Sequence, residues 1–412
     1  MKAFLLFWIA LFSFAGTSVF LNAQGVDPLF PAAAPPAVYV RSAVLIDAET
    51  GTILFSLNPT LIISPASLTK LMTIHLTLRE INARRISTGD IVKLPPESWA
   101  DNQPPRSSLM FLDRGQRVTL GELLLGLAVS SGNDAAVAAA LHAAPSIEAF
   151  VAMMNAEAGR LGLSSTRFTE PAGISSENST TAMDLARFCR VYLQEHPDAP
   201  ALHSRSSFAY PLADNIQNPR TIVQYNRNSL LGRVNGVDGL KTGHITEAGF
   251  NIALSAKRGE TRLIAILLGA ENEEQRDRDG EALLSWGFEN FKTLRFTAIP
   301  IPPVRVWGSR EKYASLKPGE DLAFTVSVRR AEILRQSIEL QDTLKAPISA
   351  GGNPASAGTP VSTKVGNLVL SDSMGELRRI PLVLEKEAVR GNFFRVILDG
   401  ITLFFRNLFR KP

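Results

Sequence analysis

The sequence holds a single cysteine, Cys189, which excludes an intramolecular disulfide and a cysteine-built metal cluster. Cys189 falls in the amphipathic stretch 185–192, where a lone thiol is expected to be buried and inert. Histidine is also scarce. His75, His142, His196, His203 and His244 are scattered, and none forms a HExxH-type pair, which argues against a zinc enzyme. No charge of one sign accumulates: +4 over 412 residues is too little to argue for nucleic acid. Internal repeats are absent as well. What remains is an ordinary globular composition, 45% hydrophobic, at a length that suggests two or three domains.

The two ends carry the localisation argument. Lys2 is followed by an apolar run over 3–12 and then by small residues, the pattern of a secretory signal peptide over 1–23, with Ala23 as the cleavage point and Gln24 as the first mature residue. An uncleaved membrane helix over 3–21 is the alternative, but Ser13, Gly16, Thr17 and Ser18 break up its second half. Pro28, Pro31, Pro35 and Pro36 mark an extended spacer over 24–40. At the other end, 389–412 reads as an amphipathic helix. Phe394, Ile397, Leu398, Ile401, Phe404, Phe405 and Leu408 share one face, and Arg395, Asp399, Thr402, Arg406 and Arg410 share the opposite one. Bulky aromatics with a basic rim suit a helix lying in a membrane interface rather than spanning it. The alternative is a terminal helix docked on a domain core.

Between the ends, 44–46 and 53–55 predict a hairpin around a turn at 47–51. A helix is expected from Ser67 to about Ile81, two more over 120–129 and 134–144 broken at 130–132, and another over 183–194. An antiparallel strand pair follows at 250–257 and 261–268, then a helix at 281–290. The Pro-rich tract 298–303 marks a boundary. Beyond it, 304–307, 322–328, 337–340, 366–371 and 379–384 predict strands, with a flexible loop at 349–362. The expected fold is an α+β domain over 41–296, an antiparallel sheet flanked by helices plus a helical region, followed by an all-β domain over 297–388 and the terminal helix.

Three short motifs carry chemistry. In Ser67-Leu68-Thr69-Lys70 the serine opens a helix, where free N–H groups favour developing negative charge, and the lysine lies one turn on. A serine hydroxyl needs a nearby base, and a lysine serves if burial and positive neighbours lower its pKa. Alone, the bland reading of a helix cap and a surface lysine is preferable. Ser131-Gly132-Asn133 sits in a tight turn between helices, where Gly132 is expected to permit the backbone conformation. That turn either aims a hydroxyl and a carboxamide into a cleft or merely lets Asn133 cap the next helix. Lys241-Thr242-Gly243 offers a charge and a hydroxyl to a carboxylate, with Gly243 expected to let a ligand backbone come close. A strand-edge lysine at a turn is the plainer reading.

Together, in this order, the motifs resemble the S-x-x-K, S-[DG]-N and K-T-G set of penicillin-binding proteins and serine β-lactamases. The segments 64–73, 129–136, 179–185, 226–231 and 238–244 look like the low-molecular-mass D-alanyl-D-alanine carboxypeptidase branch, and the resemblance covers nearly the whole chain. It implies that Ser67 is acylated by the penultimate D-alanine of a peptidoglycan stem peptide and that Lys70 takes its proton. Ser131 would relay a proton to the leaving amine, with Lys241 polarising it. Asn133 would bind the substrate peptide carbonyl. Lys241, Thr242 and, after K-T-G, an arginine placed by spacing at Arg276 would bind the terminal carboxylate, although Arg278 is close. Backbone N–H groups of Ser67 and His244 would form the oxyanion hole. The chain departs from the pattern at Ile245, usually a small hydroxylated residue, and at Glu170, where Asn is common.

The resemblance further implies β-lactam inhibitors, no metal or other cofactor, and an exported enzyme at the outer face of the cytoplasmic membrane, with peptidoglycan as partner. Three alternatives belong beside it. A class A β-lactamase would use an acidic residue for deacylation, for which Glu170 is tempting, but Gly132 stands where that class has Asp. An endopeptidase of the same fold often lacks the second domain. A non-catalytic wall-binding protein would not need every motif residue.

Overall fold

A computed structural model of the chain describes residues 32–211, 221–295, 301–320, 323–349, 364–373 and 375–409. The signal segment, the cleavage point, the first part of the spacer, the first half of the boundary tract, nearly all of the loop at 349–362 and Arg410 lie outside them.

The first domain is built on a five-stranded antiparallel sheet. Its strands are β1 (Ser42–Asp47), β2 (Ile53–Leu57), β3 (Val237–Ile245), β4 (Gly249–Arg258) and β5 (Thr261–Ala270), in the order β2-β1-β5-β4-β3. Strands β1 and β5 are apolar almost throughout because both faces of the sheet are covered. Val44, Ile46, Ile264, Ile266 and Leu268 join one core, and Ala43, Leu45, Leu263, Ala265 and Leu267 join the other. Alternate residues thus feed opposite layers, as the pleat requires.

The first core lies under the helical region. It holds α1 (Lys70–Asn82), α2 (Asn133–Ala143), α3 (Ile147–Arg160) and α4 (Ala182–Glu195). Cys189 sits in this core, its thiol pushed by burial up to about 12, so it is chemically silent. The second core lies under α5 (Glu273–Asn290), which begins two turns before the expected 281. Asn272 caps it, its side chain accepting from the Gln275 N–H. The spacer's last residues rest on this helix: Trp286 Nε1 donates to Ala33 O at 2.9 Å, and Tyr39 N donates to Asp279.

The second domain contains a four-stranded antiparallel sheet ordered Leu316–Pro318, Gly375–Leu384, Gly366–Asp372, Arg335–Leu340. A shorter ribbon, Phe291–Arg295 with Ala323–Ser327, joins it to the first domain. There Asp47 Oδ2 accepts from Thr293 Oγ1 at 2.6 Å and Thr325 Oγ1 at 2.8 Å. The terminal helix α6 (Phe393–Leu408) docks through its polar side. Asp399 accepts from Arg305 Nη2 at 2.8 Å and from Gly308 N at 2.9 Å. The apolar side points outward, with Phe394 80% and Leu398 68% exposed.

The far end of α1 is tied down by a buried polar cluster. His75 Nε2 lies 2.8 Å from Glu157 Oε1, His75 Nδ1 lies 3.0 Å from His196 Nε2, and Arg79 and Arg160 both pair with Glu157. Burial raises the Glu157 carboxyl, but bonds from Arg160 and His75 and the charge of Arg79 outweigh it and leave it at about 2. That is below its ordinary 4.5, so its contribution is present above pH 4.5 and is lost as pH falls toward 2. Glu157→Gln should cost about 2 kcal/mol at pH 7, discounted for the exposure of both arginines. In denaturant titrations the gap between wild type and variant should shrink from pH 5 to pH 3; a constant gap would show that the charge is not what holds α1.

Candidate active site

The nucleophile segment is pressed between the sheet edge and a loop. Ser67 lies in a single 3₁₀ turn, Ala66–Thr69, that runs into α1. Ala66 enters it at φ +49°, a left-handed conformation that costs energy for a residue with a Cβ. Neighbours hold it there. A Cβ on Gly173 would come within 1.9 Å of Ala66 O, and one on Gly243 within 2.9 Å of Ser67 N. Asn251, on β4, donates from Nδ2 to Ser64 O at 3.0 Å and fastens the approach to the sheet. Gly243 was expected to admit a ligand backbone; its observed role is to let β3 reach the Ser67 turn itself.

Lys70 is wholly buried at the start of α1. Its Nζ has three oxygen neighbours: Ser67 Oγ at 3.1 Å, Asn133 Oδ1 at 2.7 Å and Ala172 O at 2.5 Å. Burial lowers this amine to about 7, against the raising charges of Glu170 and Asp134 and with a small lowering from Arg227. Near neutrality a large fraction is therefore uncharged. A neutral amine has two hydrogens, enough for Asn133 and Ala172, and one lone pair, which then faces Ser67 Oγ. The bland alternative of a solvated surface lysine does not fit this burial.

The turn at 131–133 departs from expectation in detail. Ser131, not Gly132, takes the left-handed conformation, at φ 61°, ψ 34°. Gly132 has φ −57°, and its need is space: a Cβ would meet Asp134 Oδ1 at 2.7 Å and Met110 N at 2.9 Å. Nor does Asn133 cap α2, since Gly132 holds that position and Asn133 faces Lys70 instead. Its Oδ1 is engaged there, leaving Nδ2 as a donor. Asp134 locks the turn by accepting from Met110 N at 2.8 Å and Leu112 N at 3.0 Å. Ser131 is 2% exposed at the mouth of this turn.

The third motif lies on β3, the edge strand facing the Ser67 turn. Lys241 is buried, and its Nζ donates to Thr242 O at 2.9 Å. Burial drives its amine well below the ordinary lysine value, and Lys70, Arg227 and Arg276 push it the same way. Among the described residues no carboxylate pairs with it. A buried amine beside cations, its charge disfavoured until an anion arrives, is a site built to receive one. Thr242 is buried next to it, and His244, at the strand's open end, stacks on Phe250 with ring centroids 4.0 Å apart. Arg276 is buried on α5 with Nε on Asp277 Oδ1 at 2.8 Å, and its charge reaches Lys241. Arg278 instead pairs with Glu274 on the surface.

Two residues take roles that the sequence reading did not give them. Exposed Arg227 acts on both site lysines; it sits in the segment 226–231 that carried the resemblance. Glu170 organises the loop under Lys70. Its carboxylate accepts from Ala172 N at 2.6 Å, Ile174 N at 2.8 Å and Asn178 Nδ2 at 2.8 Å, while Thr73 Oγ1 donates to Pro171 O at 2.7 Å. Those bonds commit both oxygens to the loop, which removes the feature that had made a lactamase-type deacylation base tempting. The described residues do place His75, Glu195 and His196 with ligand-type atoms within 4.8 Å of one another. Arg79 and Arg160 already neutralise the acids there, and the cluster lies at the other end of α1 from Ser67.

Comparison with known proteins fits this arrangement. Residues 30–272 match the family D-alanyl-D-alanine carboxypeptidase, and residues 299–389 match the domain described as penicillin-binding protein 5, C-terminal domain. The D-alanyl-D-alanine carboxypeptidase DacD of Salmonella typhimurium is 35% identical over 387 residues, 92% of this chain and 93% of that protein. The crystal structure of penicillin-binding protein 5 from Haemophilus influenzae superposes with a TM-score of 0.68 at 30% identity, covering 87% of this chain and 99% of that one. Penicillin-binding protein D2 from Listeria monocytogenes in its ampicillin-bound form superposes with a TM-score of 0.54 at 28% identity, over 61% of this chain and 99% of its own. By its first domain, and over most of its length, the chain belongs to the D-alanyl-D-alanine carboxypeptidase family of serine peptidases.

Proposed function

We propose that the chain removes the terminal D-alanine from peptidoglycan stem peptides through an acyl-enzyme on Ser67, and that β-lactams acylate the same oxygen. The observation that carries this reading is the Lys70 amine, buried, lowered to about 7 and 3.1 Å from Ser67 Oγ. The substrate's terminal carboxylate settles against Lys241, Thr242, Arg276 and Arg227, where it supplies the anion that the buried lysine lacks. Asn133 Nδ2 donates to the peptide carbonyl. Lys70 takes the Ser67 proton as Oγ attacks the penultimate D-alanine carbonyl, and the oxyanion forms against the N–H groups of Ser67 and His244. Ser131, held polarised by Lys241, passes a proton to the leaving amine, and D-alanine departs. Water then adds to the ester, and the proton returns to Ser67. No step calls for a metal.

The location follows from the family's wall substrate: the enzyme is exported and acts in the periplasm. Export through the signal segment at 1–23 is consistent with this. The outward apolar face of α6 supports a peripheral seat on the outer face of the membrane, with the second domain, over 297–388, as a spacer that sets the height of the site above the bilayer. No single described helix is long and apolar enough to cross a membrane.

Three outcomes test the reading. A soluble form covering 24–390 should release D-alanine from a D-Ala-D-Ala peptide and bind labelled penicillin, and Ser67→Ala should lose both. Penicillin binding without release would point to an endopeptidase or to a protein whose wall role does not depend on trimming, and the absence of both binding and release would sink the reading. Gly243→Ala should leave the fold intact but lower acylation about 10²-fold, because the strand must back away from the Ser67 turn. Glu170→Gln removes the charge that raises Lys70, so the rising limb of the acylation–pH profile should move to lower pH; an unmoved limb would show that the Glu170 charge does not reach Lys70.

A further inference from the structure

The second domain and α6 enclose a groove of about 390 Å³ whose walls combine apolar and cationic groups. Trp307 forms its floor. The Arg305 guanidinium stacks 3.8 Å from the Trp307 ring centroid, and the Arg406 guanidinium, from α6, lies 5.7 Å from it. Ile338, Leu340 and Leu344 form an apolar wall, and the first two belong to the outermost strand of the four-stranded sheet, where they are partly exposed. Arg305 spends Nη2 on Asp399, but its Nε is buried without a hydrogen-bond partner. A buried guanidinium N–H with no acceptor costs free energy that a ligand oxygen would recover.

The position of the groove decides the occupant. It adjoins the helix whose outward face exposes Phe394, Ile397, Leu398, Ile401, Phe404, Phe405 and Leu408. Cationic donors, a tryptophan and an apolar wall beside such a surface are what a phospholipid presents itself to: a phosphate at headgroup depth, an acyl chain beside it. Arginine is also the side chain whose fork of donors fits phosphate oxygens. Asp342 lines the same groove, so the phosphate is favoured where the guanidiniums outweigh it.

We propose that this groove is a headgroup site for an anionic phospholipid, with Arg305 and Arg406 on the phosphate and Ile338 and Leu340 against the first part of an acyl chain. The proposal rests on the reading that α6 lies in the membrane, and it adds to that reading a lipid class and a defined site.

The test uses the mature full-length chain, sedimented with vesicles of phosphatidylcholine alone or with phosphatidylglycerol added to about a third, at fixed salt. Wild type should bind the anionic vesicles at least about tenfold more tightly. Arg406→Gln should remove most of that preference while leaving binding to phosphatidylcholine unchanged. Arg378→Gln, an exposed arginine of the same domain outside the groove, should not. Arg305→Gln is a weaker probe, because it also frees Asp399. Equal losses for Arg406→Gln and Arg378→Gln would overturn the site while leaving the membrane reading intact. Binding to neither vesicle would remove the membrane reading and the site with it. Phosphatidylglycerol brominated near the headgroup should quench tryptophan emission in wild type and much less in Trp307→Phe; equal quenching in both would place the lipid elsewhere.

Discussion

One buried amine constrains the rest of the first domain. Lys70 cannot be left in an apolar interior without acceptors, and it cannot be surrounded by carboxylates without becoming permanently charged. The fold meets both conditions by giving it three neutral oxygens from three separate elements: the Ser67 turn, the turn at 131–133 and the loop at 170–175. The nearest acids are kept off it, Glu170 by its loop N–H groups and Asp134 by Met110 and Leu112. Even the strain at Ala66 follows from this, because the turn must deliver Ser67 Oγ to the amine while β3 and Gly173 close over it.

The second lysine is lowered by burial as well, but its neighbours differ. Lys241 is buried beside positive charge with no paired acid among the described residues, and its neighbours Arg227 and Arg276 add to the field. A site of that kind is electrostatically incomplete until an anion arrives, which couples recognition of a terminal carboxylate to the environment of both lysines. The two motifs are thus one device: a base kept neutral by burial, and a cationic wall that awaits the substrate.

Much of this was legible in the sequence where a residue type has few alternative uses. The three motifs come together, and the alternating cores of β1 and β5 follow their apolar runs. The misses have physical causes. Helix α3 escaped notice because its apolar residues are interrupted by Glu148, Asn155 and Glu157, and Glu157 is buried for a reason, the His75 cluster, that only the fold reveals. The first two turns of α5 are written almost entirely in charged and amide residues, yet Arg276, Asp277 and Asp279 are buried there. Gly132 was read as a source of backbone freedom and Gly243 as room for a ligand, whereas both make room for the protein's own turns. The pattern of α6 separated its two faces but not what each one meets; Asp399 turns the polar face toward the domain and leaves the apolar face outside. Such distinctions depend on what lies opposite, which no local pattern encodes.

The account stands on the protonation state of Lys70 in the free enzyme. It can be read directly by ¹³C NMR of ε-labelled lysine, with the Lys70 resonance assigned by its loss in Lys70→Arg. A titration centred at about 7 is the predicted result. A resonance that stays in the ammonium position up to the ordinary lysine value of 10.5 would contradict the account, because Ser67 would then have no base within reach at neutral pH.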